Sequence, residues 1–322
     1  MTLDALLGHL PVNVLWALGG VFAALAVATV VNVLLRRLKP ERDWTELGQR
    51  IASWWVMAAV FTAAILLSRV ASIAFLGFVS FLALKEYLSI IPTRRADRRV
   101  LLWAYLAIPI QYYWVASEWY GMFIIFVPVY MFLFLPLPML IIGQTEGFLR
   151  AIGTLHWGLM ATVFALSHMA YLLVLPGSEV TKGDGMAAGG AGLLLYLVVL
   201  TQFNDVAQYV WGRLFGRSRV IPRISPNKTW AGLIGGFVTT VLLAAALAPY
   251  LTPFQPRDAY VAGAIIAAAG FVGDITVSAL KRDLGIKDTG SLIPGHGGIL
   301  DRIDSLTYTA PLFFHFTRYF YF

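Results

Sequence analysis

Continuous apolar runs of 17–24 residues, separated by short polar segments, recur along the whole chain. A bilayer crossing needs about 20 mostly apolar residues. Ten runs qualify: 12–35, 51–67, 71–91, 100–116, 119–142, 153–175, 186–204, 229–249, 258–280 and 305–322. Barrel strands would be about ten residues long and alternating, so these runs predict helices. The expected fold is an all-α, polytopic membrane bundle of about ten transmembrane helices with its N-terminus outside. Residues 1–13 lack a basic stretch, and Arg36 and Arg37 follow the first run, which favours a retained first helix over a cleaved signal.

Composition strengthens that expectation. Apolar residues form 59% of the chain and charged residues 13%, too few to cover a soluble surface. The net charge of +7 could suggest nucleic acid as a partner, but its placement argues otherwise. With the N-terminus outside, the inner loops 36–50, 92–99, 143–152, 205–228 and 281–304 hold 19 of the 24 Lys and Arg. Such residues report topology and contact with anionic headgroups. Trp54, Trp55, Trp103, Trp114, Trp119 and Trp211 lie near run ends, as interfacial anchors do. The absence of cysteine excludes disulfides, thiolate nucleophiles and cysteine-ligated metals.

Residues 1–200 read as transmembrane scaffold, and 201–322 as a catalytic region with its site on the cytoplasmic side. Asp205, Asp274, Asp283, Asp288, Asp301 and Asp304 all fall in the second part. Asp274 is placed within an apolar run, where a charge costs roughly 2.5–3.5 kcal/mol and usually faces a polar cavity or a partner. Ser278, Lys281 and Arg282 follow at i+4, i+7 and i+8, so the four share one helical stripe. That stripe suits a metal ion and anionic oxygens, or simply neutralises Asp274 at the basic flank. Beyond it, a glycine-rich turn (Gly295, Gly297, Gly298) leads into a helix beginning near Asp301, Arg302 and Asp304. Glycines let backbone amides approach an anion, and two carboxylates there could ligate Mg²⁺. Asp301 could equally be a helix cap. His296 within the turn could be a general base, a headgroup contact or a structural hydrogen-bonder. Upstream, Asp205 ends the seventh run, with Gln208, Tyr209 and Gly212 on its face. Ser225–Pro226 reads as an N-cap with proline at N1, which would place Lys228 and Thr229 in the first helical turn, where phosphate is favoured.

The segment SALKRDLGIKDTGSLIPGHGGILDRID, Ser278 to Asp304, resembles the signature of the phosphatidate cytidylyltransferase (CDP-diacylglycerol synthase) family. SPNKTW and the Asp205–Arg213 stretch resemble upstream pieces of that family, and together the resemblance covers about 204–305. It implies transfer of a cytidylyl group from CTP to phosphatidic acid, giving CDP-diacylglycerol and pyrophosphate, by an inner-membrane enzyme acting as a homodimer. It also implies dependence on Mg²⁺, with a second cation such as K⁺ proposed at the site. Under that resemblance Asp274 and Asp301 are metal ligands, and Asp274, Lys281, Asp301 and Asp304 carry catalysis. Substrate contacts would come from Asp205, Arg213, Ser225, Lys228, Thr229, Ser278, Arg282, Lys287, Asp288, His296, Gly297, Gly298 and Arg302.

The chain departs from the pattern where many members carry Glu, at Val277 and Ala231, and where Asp-Thr-Gly-Ala is replaced by Asp205–Gln208. These departures suggest a divergent branch and leave open a CTP-dependent lipid kinase or a cytidylyltransferase with another lipid acceptor. A transporter is a further alternative, but it predicts midplane charges and repeated halves. The acids here collect at cytoplasmic helix ends, and no repeat is visible.

Overall fold

The computed structural model describes residues 10–41, 43–94, 97–175, 188–295 and 297–322. Each of the ten apolar runs is mostly helical in its described residues. The first six helices are α1 (Val12–Leu38), α2 (Thr45–Leu67), α3 (Arg69–Ile90), α4 (Arg98–Ala116), α5 (Tyr120–Ile142) and α6 (Phe148–Leu172). Helix α5 loosens into a π turn at Phe126–Met131 around Pro128, which lacks the N–H an α-helical bond needs. Helix α7 (Gly189–Phe215) leads into a small antiparallel hairpin, β1 (Arg219–Ile221) and β2 (Ser225–Thr229). Helices α8 (Trp230–Leu251) and α9 (Pro256–Asp283) follow. A one-turn helix, α10 (Leu300–Ile303), then precedes the last helix, α11 (Leu306–Tyr321). Among the described residues eight helices are long and apolar enough to cross a membrane, all except α4, α10 and α11. Helix α4 opens on Arg98 and Arg99, and α11 has only 16 residues. The protein is an all-α polytopic membrane protein with one small hairpin.

Helix α7 carries the face of Asp205 and Gln208 onward to Phe215, ten residues past Asp205. One expected boundary shifts: Ser225 and Pro226 do not open a helix, because they lie in β2, paired with β1. The cap is Thr229, whose hydroxyl accepts from Gly232 N at 3.1 Å, so helix α8 starts at Trp230. Once Thr229 satisfies that free amide, the preceding residues can pair as strand, and exposed Pro226 withholds no needed donor.

Helices α7, α8, α9 and α11 pack against one another, while α6 bridges α11 to α3. Between apolar helices in lipid, close approach and interhelical hydrogen bonds provide cohesion. Asn204 accepts from Thr240 Oγ1 at 3.1 Å and donates to Ala267 O at 3.3 Å, joining α7 to α8 and α9. Thr201 reaches Thr309 at 3.2 Å, adding α11. Gly273 lets α9 touch the α10–α11 junction: a Cβ there would stand 2.4 Å from Asp304 O. These contacts sit beside Asp205 and Asp274 in sequence and bring both helices to one place.

Candidate active site

A cavity of about 220 Å³ opens where α7, α9, α10 and the preceding loop meet, lined by Gln202, Asp205, Asp274, Lys281, Asp288, Asp301, Arg302 and Asp304. Seven of these eight were expected from sequence, and Asp274 and Asp301 share the same walls. The acids divide into two groups, each with its own lysine.

Lys228, in β2, meets Asp274 Oδ2 at 2.5 Å and Gln208 Oε1 at 3.1 Å. Ser278 donates to Asp274 Oδ1 at 3.3 Å, as the i+4 spacing anticipates. Asp205 accepts from Ser305 Oγ at 3.2 Å. Burial alone would depress the Lys228 pKa, but the carboxylates of Asp274 and Asp205 outweigh it and hold the ammonium above its ordinary range. Burial, with the charges of Asp274 and Asp205, pushes the Asp304 carboxyl well above the usual range. Three aspartates thus crowd one lysine, an arrangement short of positive charge.

The second group centres on Asp301, 6% exposed. Its Oδ1 accepts from Lys281 Nζ at 2.7 Å, and its Oδ2 from the amides of Thr289 at 2.9 Å and Gly298 at 3.1 Å. Burial favours the neutral acid, yet Lys281 and these amides overcome it and keep the pKa below the normal carboxylate value. Gly297 has φ +80°, and a Cβ there would lie 2.7 Å from Asp301 Oδ2, so the turn needs glycine on both counts.

Glu86, on α3, was missed by sequence reasoning. Its Oε2 accepts from Ile299 N at 2.9 Å, and its Oε1 from Leu300 N at 2.9 Å and Thr289 Oγ1 at 2.5 Å. It therefore caps α10 from 213 residues away, the role sequence left open for Asp301. Thr289 Oγ1 also lies 3.0 Å from Asp301 Oδ2. One hydroxyl has one hydrogen, so the shorter contact to Glu86 takes it and Thr289 N–H serves Asp301. Helix α2 pins the same loop: Ser53 Oγ donates to Pro294 O at 2.7 Å and Arg50 Nε to Gly295 O at 3.2 Å. The available signal for Glu86 was an acid in the apolar run 71–91.

Other expected residues lie elsewhere. Arg282 is turned to backbone oxygens, donating to Ile224 O at 3.3 Å, and so braces the hairpin. Arg213 and Lys287 are exposed, Ser225 belongs to the strand, and Thr229 serves as the cap. Tyr209 is 64% exposed and does not share the inward face of Gln208. His296 lies outside the described residues.

The Cytidylyltransferase family profile matches residues 48–320. This chain belongs to that family. It is a membrane-embedded nucleotidyltransferase, and the matched span takes in Glu86 as well as the cavity. The chain is 42% identical over 303 residues to the Uncharacterized protein YnbB of Escherichia coli (strain K12), an alignment covering 94% of this chain and 98% of that one. It is 43% identical over 138 residues to a phosphatidate cytidylyltransferase of Haemophilus influenzae, covering 41% of this chain and 46% of the relative. A phosphatidate cytidylyltransferase of Pseudomonas aeruginosa is 34% identical over 179 residues, with 49% and 65% covered. The chain therefore spans just under half of one of these two named enzymes and just under two thirds of the other.

Among the described residues no three acidic or histidine side chains form a ready ligand set, and Asp274 and Asp301 are each held by a lysine. The donor chemistry nonetheless fits a hard divalent cation. Several carboxylates line one small cavity, and such oxygens are the ligands that ion takes.

Proposed function

We propose that this protein transfers a cytidylyl group from CTP to phosphatidic acid, giving CDP-diacylglycerol and pyrophosphate, with Mg²⁺ bound by Asp274 and Asp301. The observation that carries this reading is the meeting of Asp205, Asp274, Asp301 and Asp304 with Lys281 and Arg302 on one cavity. The acceptor is already an anion, so its phosphate oxygen needs no strong general base. It attacks the α-phosphorus of CTP, the α–β phosphoanhydride bond breaks, and pyrophosphate leaves. The barrier is the charge of two phosphates brought together, and positioning with electrostatic stabilisation lowers it. When bound, Mg²⁺ would neutralise phosphate oxygens. Lys281 and Lys228, cationic in their ion pairs, are placed to exchange carboxylate for phosphate. The excess of basic residues in loops 205–228 and 281–304 supports a site facing the cytoplasm of a bacterial-type inner membrane.

Membranes containing the protein, incubated with labelled CTP and phosphatidic acid, are expected to form CDP-diacylglycerol by mass spectrometry, and to stop when Mg²⁺ is chelated. A phosphorylated lipid with CDP as co-product would replace this reading with a kinase. A CDP-linked product formed only from a mixed lipid extract would keep the reaction and change the acceptor.

A further inference from the structure

Gln208 is buried, 5% exposed, one turn beyond Asp205 on α7. Its Oε1 accepts from Lys228 Nζ. An ammonium only donates, so the amide oxygen must face the lysine, and the orientation of the side chain follows from that. The amide nitrogen is left with two N–H groups, sealed from solvent and without an acceptor. A buried donor in that state costs about 1–3 kcal/mol. The packing around it is close rather than slack. A Cβ at Gly236 would stand 2.4 Å from Gln208 Cγ, and one at Gly232 would stand 2.6 Å from Gln208 O. An apolar side chain would fill such a space without leaving a donor unmet.

The unmet donor shares its amide carbon with the oxygen that holds Lys228, and the same ammonium pairs with Asp274. A phosphate that draws Lys228 away from Asp274 therefore arrives beside an amide with hydrogens to give. We infer that Gln208 is a specificity-determining residue whose side-chain amide donates to a substrate phosphate oxygen also held by Lys228. This rests on the phosphate-handling role proposed above, and the phosphate could belong to the nucleotide or to the lipid.

Gln208→Glu in the full-length protein separates this role from simple tethering of Lys228. The glutamate keeps an oxygen for the lysine but sets an anion where the amide stood. Donation to phosphate predicts at least a tenfold rise in KM for CTP or for phosphatidic acid, with a smaller change in kcat. The rise in one substrate or the other identifies which phosphate is bound. Tethering alone predicts both KM values within threefold of wild type, which would overturn the inference. Thermal shift with CTP, and separately with short-chain phosphatidic acid, reads binding without turnover: ligand stabilisation present in wild type should vanish in Gln208→Glu. Equal stabilisation of both proteins, or none in either, would also overturn it. If Gln208→Glu does not accumulate, Gln208→Met, of similar length but without donor or oxygen, carries the test: both KM values within threefold of wild type would overturn the inference. An active wild type with an indifferent Gln208→Glu refutes the role of Gln208 alone; a wild type that binds CTP but forms no CDP-lipid refutes the proposed reaction alone.

Discussion

Replacing Glu86 with Gln tests whether the first part of the chain organises a site built from the last third. The carboxylate accepts three hydrogen bonds, two from the Ile299 and Leu300 amides at 2.9 Å each and one from Thr289 Oγ1. A glutamine of the same length has one oxygen, so either orientation turns an NH₂ toward at least one backbone N–H. Leaving one such donor unmet costs about 1–3 kcal/mol, which corresponds to about a 5- to 150-fold change in a local opening equilibrium. The loss should stay local, because α10 has only four residues and Glu86 supplies its cap. Hydrogen–deuterium exchange of peptides spanning 287–304 should accelerate by that factor, while α7 exchanges as in wild type. Turnover should fall with it, since Thr289 also holds Asp301 through its amide. Unchanged exchange in 287–304 would refute the assignment of Glu86 as the cap that orders the loop.

Asp274→Asn and Asp301→Asn should each abolish turnover at near-normal expression; activity retained in either, by product mass spectrometry, removes that aspartate from the proposed metal site. Lys281→Met should destabilise the protein by about 3–5 kcal/mol, because the buried Asp301 carboxylate would lose the lysine paired with it. Adding Asp301→Asn should recover part of that loss in a thermal-unfolding double-mutant cycle, and strict additivity would contradict the pairing. Val277→Glu should lower Tm and reduce folded yield, because Val277 is 2% exposed within the apolar core. A tolerated glutamate would show that this position can turn toward the polar cavity.

The apolar runs and their polar interruptions were sufficient to predict the helices, because membrane insertion is decided over about 20 consecutive residues and a helix closes its hydrogen bonds within itself. The i+4 relation of Asp274 and Ser278 was legible for the same reason. So was the glycine turn near Asp301, since the conformations it requires belong to the residues themselves. The β1–β2 hairpin was not legible, because Ser225–Pro226 satisfies a helix start and a strand equally well until pairing with Arg219–Ile221 decides between them. Nor could local pattern show that Lys228 would select Asp274, that Lys281 would select Asp301, or that Glu86 would cap α10. Those choices depend on which helix faces meet, and a side chain 200 residues away leaves no periodic mark on the segment it touches. The sequence by itself determined a helical membrane protein carrying the residues of a phosphate-handling site. Tertiary packing decided which acids are paired, which amide is left unmatched, and where the cavity opens between them.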